Sequence, residues 1–182
     1  MRCFIAVEVD EPQVRSFIEE LSGVSAALRV VRPENLHLTL KFLGEVPGDS
    51  IDCIVKAVEG TLSGFSPFET SLVGTGAFPS LDYMRVVWVG FGENRERFVE
   101  MQKAVDEALV PLGFAPEKRF HPHLTLARMK SQKGKGQLKE FLLKNQERAF
   151  GTLTVDSVRL KKSVLTPKGP IYSTERETRL TG

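Results

Sequence analysis

One tetrapeptide occurs twice in this 182-residue chain, as His37-Leu38-Thr39-Leu40 and again as His123-Leu124-Thr125-Leu126. A strand sends successive side chains to opposite faces, so each copy turns its two leucines one way and its histidine and threonine the other. The leucines demand a core, and the imidazole and hydroxyl are left together on the opposite side. The sequence holds only three histidines, and two of them stand in these copies. Any fold for this chain must seat two such strands and keep both His-Thr faces accessible.

The flanking sequence repeats as well. Cys3–Val9 reads as a buried strand, and Pro12 starts a helix whose stripe is Val14, Phe17, Ile18 and Leu21. Leu36–Leu40 is a second strand, and Asp49 or Ser50 caps a helix with the stripe Ile51, Ile54, Val55, Val58 and Leu62. Phe68–Val73 is a third strand. The second half follows the same order: strand Arg85–Val89, helix with Phe98, Met101, Val105 and Leu109, then strand His123–Leu126. A short helix with Leu138, Phe141 and Leu142 comes next, followed by strand across Leu153–Val164, a turn at Pro167–Pro170, and Ile171–Ser173. Both halves read strand, helix, strand, helix, strand. That order suits two duplicated α+β lobes, and it equally suits one parallel α/β sheet.

Composition narrows the class. At 41% hydrophobic and 26% charged residues the chain is an ordinary globular one, long enough to bury roughly 70% of its unfolded surface. A formal charge of +2 gives no long-range pull on nucleic acid, so phosphate recognition must come from a few placed groups. Cys3 and Cys53 have no metal-ligand spacing and read as reduced thiols of a cytoplasmic protein. No signal peptide or membrane span is expected.

Two imidazoles across a cleft can serve as general base and general acid near neutral pH. A phosphodiester or cyclic phosphodiester uses such a pair, one histidine taking a proton from the attacking oxygen and the other protonating the leaving oxygen. The threonine hydroxyls can hold non-bridging phosphate oxygens. No metal is required by this chemistry. His121-Pro122-His123 could be read as a metal pair with His37 as a third ligand, but that leaves both threonines unexplained.

The flanks carry a family resemblance: His37-Leu38-Thr39-Leu40-Lys41-Phe42-Leu43-Gly44, Phe120-His121-Pro122-His123-Leu124-Thr125-Leu126-Ala127-Arg128, and the opening Arg2-Cys3-Phe4-Ile5-Ala6-Val7. These resemble the H-x-T-x motifs of 2H phosphoesterases, in particular the 2′-5′ RNA ligase branch, also described as RNA 2′,3′-cyclic phosphodiesterases. The resemblance implies a single bilobal domain over residues 1–182 of α+β class. Its two pseudo-symmetric lobes would each be an antiparallel sheet with helices on the outer face, around a central cleft. It implies hydrolysis of RNA 2′,3′-cyclic phosphate ends to 2′-phosphates, and 2′-5′ joining of such ends to 5′-hydroxyls. His37 and His123 then match the catalytic histidines, and Thr39 and Thr125 the phosphate-binding residues. Phe42 would pack on the nucleobase, and Arg128 would lie near the nucleotide. No metal or cofactor is expected, and the partner is RNA with a cyclic phosphate end, tRNA halves among the candidates. The protein is expected to be a monomer without membrane association.

Two rival functions have their own discriminators. A 2H enzyme for a small cyclic phosphate, such as an ADP-ribose cyclic phosphate, would show no dependence on RNA length. A non-catalytic RNA-end-binding module would be expected to have lost part of a motif, and both are intact. One geometric problem remains. Phe42 and Arg128 lie five residues after their histidines, an odd offset that faces away on a regular strand unless it bulges or ends. Lys130–Gly136 is basic and flexible by composition, a guide for RNA or simply a solvated loop. Arg159, Lys161, Lys162 and Lys168 form a second basic stretch, with Tyr172 nearby as a stacking or phosphate-binding group, and Trp88 reads as core.

Overall fold

The computed structural model describes all 182 residues. The chain runs β1 (Arg2–Glu8), α1 (Pro12–Ser22), β2 (Leu28–Val30), β3 (His37–Glu45), α2 (Ile51–Leu62), β4 (Phe68–Pro79) and β5 (Met84–Phe91). It continues with α3 (Arg95–Leu109), β6 (Leu124–Met129), α4 (Lys135–Lys144), β7 (Ala149–Val155), β8 (Ser157–Thr166) and β9 (Gly169–Arg179). The strands form two sheets, ordered β3-β1-β8-β9 and β2-β6-β5-β4-β7, and every pairing is antiparallel. The ambiguity in the order of elements is thereby resolved towards two antiparallel sheets with helices.

The sheets are not the two halves of the sequence. The first half contributes β2 and β4 to the second sheet, and the second half returns β8 and β9 to the first. Helices cross over too: α1 packs on β2 and β7, while α3 packs on α2 and β3. The expected continuous strand over Leu153–Val164 is therefore two strands in different sheets, separated by Asp156 alone. The Asp156 carbonyl accepts the Leu180 N–H, which ties the switch point to the C-terminal strand.

The helical stripes form as their spacing demands. Val14, Phe17, Ile18 and Leu21 are all buried in α1, where Phe17 packs against Phe141 of α4 and Phe150 of β7 at centroid distances of 5.4 and 4.8 Å. Its N-terminus is capped by the Glu11 carboxylate, which accepts the Gln13 N–H, with Pro12 in the first turn. In α2, Ile51, Ile54, Val58 and Leu62 are buried and Val55 only partly so. The expected Asp49 or Ser50 cap is absent, because Ser50 is itself helical and its hydroxyl turns to Asp49. One continuous apolar cluster joins the inner faces of these helices to both sheets. The opposite sheet faces, free of helices, carry the repeated motifs.

Candidate active site

Both tetrapeptides plant their leucines in the core. Leu38, Leu40, Leu124 and Leu126 are at most 2% exposed, each stabilising by about 2 kcal/mol. His37, Thr39 and Thr125 lie half-buried on the other face of their strands, and His123 immediately precedes β6. The two imidazoles are held alike. His37 Nδ1 lies 2.7 Å from the Asn35 carbonyl, and His123 Nδ1 lies 2.6 Å from the His121 carbonyl. A carbonyl only accepts, so each Nδ1–H donates and each Nε2 is left as the nitrogen that can accept a proton. His121 thus supports His123 through its backbone, and no three His, Cys, Asp or Glu side chains converge in a metal-holding group.

Identical bulges remove the odd-offset problem. Along β1, Ile5 pairs with Lys41 and Ala6 with Thr39, so Leu40 is the extra residue. Along β5, Val87 pairs with Ala127 and Trp88 with Thr125, so Leu126 is the extra residue. After each bulge two consecutive residues point inward, Leu40 with Lys41 and Leu126 with Ala127. Phe42 and Arg128 are thereby returned to the face of their histidines. Each displaced carbonyl finds a donor: Leu40 accepts from the Gln102 side chain at 3.2 Å, and Leu126 from the Val31 N–H at 2.7 Å.

The first bulge forces a charge inside. Lys41 is 6% exposed and donates to both Asp106 on α3 and the Ala115 carbonyl. The other Asp106 oxygen accepts the Glu117 N–H at 2.8 Å. This clamp ties the strand carrying His37 to the segment that leads into His123.

Aromatic rings line the first-sheet side. Phe4 packs on His37, Tyr172 and Phe42 at centroid distances of 4.9, 5.1 and 6.2 Å, and Tyr172 stands edge-on to His37 at 5.4 Å. Phe42 itself is 71% exposed, an apolar surface with nothing above it. On the second sheet, Phe78 stands edge-on to His123 at 4.9 Å. The Glu8 carboxylate is shared by Arg159 and Lys161, and Arg159 also reaches Glu177. Arg128, by contrast, is exposed and makes no ion pair with a carboxylate.

Burial pushes both imidazoles below their ordinary value. For His37 the charges of Lys161, Arg128 and His123 push further down, and for His123 those of Arg128 and His121 do so, while the carbonyl hydrogen bonds work the other way. Burial raises the Tyr172 phenol, which therefore keeps its proton, with Arg128 and Arg2 opposing. The Arg128 charge disfavours protonation of both imidazoles and opposes the rise of the phenol.

One expectation is corrected by the structure. Trp88 is not core: Val87 and Val89 are buried, and Trp88 alternates out to the cleft face opposite Thr125. The alternation is visible in the sequence, but a lone Trp among valines reads as packing. In the basic segment Lys130–Gly136, the last two residues open α4. Gln132 exchanges hydrogen bonds with the Met84 backbone, and the Lys133 carbonyl accepts from Ser25. Glu8 and Phe4 escape the sequence reading, since nothing in a buried strand's composition marks which residues face a cleft.

The sequence model of the 2′-5′ RNA ligase superfamily matches residues 9–164. The RNA 2′,3′-cyclic phosphodiesterase of Methanothermobacter thermautotrophicus is 42% identical over 176 residues, covering 95% of each chain. That of Archaeoglobus fulgidus is 42% identical over 175 residues, covering 94% of this chain and 96% of its own. Among solved structures, TT0787 of Thermus thermophilus aligns over 100% of this chain and 99% of its own, with TM-score 0.82 and 28% identity. E. coli LigT complexed with 3′-AMP shares the fold at TM-score 0.74 and 24% identity, covering 100% of this chain and 98% of its own.

Proposed function

The chain belongs to the 2′-5′ RNA ligase superfamily, and we propose that it is an RNA 2′,3′-cyclic phosphodiesterase that leaves a 2′-phosphate and also joins such ends through 2′-5′ linkages. The observation that carries this reading is the pair of identically bulged motifs, each with a histidine whose Nδ1–H is fixed on a carbonyl and whose Nε2 is free. Relatives named for this activity at 42% identity support the substrate class.

In our reading His123 Nε2 takes a proton from water as the water oxygen bonds to phosphorus. The bond from phosphorus to the 3′-oxygen breaks, and His37 Nε2–H protonates that oxygen, leaving a 2′-phosphate and a 3′-hydroxyl. Joining places a 5′-hydroxyl where water stood, with the same roles, and cutting the 2′-5′ linkage back to the cyclic phosphate exchanges them. Thr39, Thr125 and Arg128 hold the non-bridging oxygens. Phe42 stacks on the terminal base, a role that suits a ring 71% exposed beside the catalytic face. Two imidazoles complete the proton transfers, so the mechanism calls on no metal or cofactor. Both histidines come from one chain, and a monomer suffices. The two free cysteines fit a reducing cytoplasm, where tRNA halves would present such ends. No helix is long and apolar enough to cross a membrane.

Two results are expected. Phe42→Ala removes an exposed ring, so the melting temperature holds while KM for a cyclic-phosphate oligonucleotide rises roughly tenfold. An unchanged KM counts against the stacking role. The kcat/KM profile is a bell whose maximum lies below the ordinary imidazole value of 6.5, because both histidines are shifted down. The kcat profile extends to higher pH, since the bound phosphate anion favours imidazolium. A profile flat from about pH 5 to 9 contradicts paired acid-base catalysis.

A further inference from the structure

A cavity of about 350 Å³ opens beside His123 on the second sheet. Its lining includes Phe78, Trp88, Phe91 and His121, with Arg95 and Gln146 also at its wall. It contains none of Phe4, His37, Phe42 or Tyr172, so it lies apart from the aromatic wall of the first sheet and meets the reaction centre only through His123. The volume is that of a small-molecule site, which spans about 300–1,000 Å³.

The pocket is built around one indole. The Trp88 ring lies over Gly76 and Gly90, where a Cβ would come within 2.3 and 3.3 Å of it. Phe78 packs on it at 5.3 Å. Its Nε1–H is buried without any hydrogen-bond partner, the only buried side-chain polar atom so left. That nitrogen is closed to solvent, so the indole offers the cavity its ring and not its N–H. Aromatic faces with the exposed Arg95 and Gln146 at the edge, whose side chains can meet the polar rim of a base, have the chemistry of a nucleobase site.

We propose that this pocket is the subsite for the nucleoside bearing the 5′-hydroxyl: the acceptor in joining, and the departing nucleoside when a 2′-5′ linkage is cut. The inference rests on the function given above, which brings the attacking oxygen to phosphorus past His123. A base in the pocket, stacked on the aromatic faces of Trp88 and Phe78, sets the 5′-hydroxyl beside His123 Nε2. His123 takes its proton, the new bond to phosphorus forms, and the 3′-oxygen leaves with a proton from His37.

Trp88 is the sole tryptophan, so its fluorescence reports occupancy directly. The protein is saturated with adenosine 2′-phosphate, which fills the phosphate centre and the Phe42 side, and adenosine is then titrated while cyclic-end hydrolysis is assayed in parallel. Adenosine is expected to quench the fluorescence saturably in the presence of the 2′-phosphate. Trp88→Leu, which removes the stacking face and keeps an apolar side chain, is expected to raise KM for the 5′-hydroxyl strand in joining roughly tenfold. Hydrolysis without adenosine quenching, or quenching that the 2′-phosphate abolishes, overturns the second subsite and leaves the function standing. Absence of hydrolysis overturns that function and this assignment with it.

Discussion

His37→Ala and His123→Ala are each expected to lower turnover of a 2′,3′-cyclic phosphate end by about 10²–10⁴-fold while the fold persists. Each change deletes one proton-transfer group and one Nδ1–H hydrogen bond to a carbonyl two residues upstream. The stability cost is about 1 kcal/mol, because the leucines on the opposite face keep each strand seated. The double variant should be little worse than either single one, since acid and base act in one transition state. Single-turnover hydrolysis with circular dichroism as a fold control checks this. A folded variant with near-parental rates would remove that histidine from the mechanism.

The largest stability effect is expected at Lys41. Its ammonium is buried against Asp106 and the Ala115 carbonyl, so Lys41→Met leaves the Asp106 carboxylate charged and enclosed. Breaking a buried pair in this way costs about 3–5 kcal/mol, a fall of roughly 10 °C in melting temperature for a chain of this size. Adding Asp106→Leu should restore part of the loss by removing the stranded charge. Recovery stays incomplete because Asp106 also accepts the Glu117 N–H. Activity of the folded fraction should fall too, since the clamp fixes the segment entering His123. A thermal melt of the single and double variants checks the order; a Lys41→Met melt indistinguishable from the parent would contradict it.

The two motifs are legible because strand alternation is local: setting Leu38 and Leu40 against His37 and Thr39 needs no knowledge of the partner strand. Phe42 and Arg128 are legible only through the family resemblance. Their parity depends on bulges opposite Ile5–Ala6 and Val87–Trp88, and a bulge is set by the pairing of two strands, not by the sequence of one. The exchange of elements between sheets is illegible for a similar reason. Nothing local in Ser157–Thr166 says that it pairs with β1 rather than continuing from Val155 beside β4. Trp88 shows the reverse failure, since its alternation with Val87 and Val89 is readable and composition outweighs it. Lys41 gives no signal of burial, because the bulge that turns it inward lies one residue before it.

The central claim is that two imidazoles open a cyclic phosphate towards the 2′-phosphate. The most direct measurement incubates a short RNA ending in a 2′,3′-cyclic phosphate with the protein in EDTA and maps the position of phosphate on the product. A 2′-phosphate formed at the same rate with and without EDTA is the predicted result. A 3′-phosphate would contradict the assignment of the 3′-oxygen as leaving group, and an intact cyclic end would contradict the proposed function as a whole.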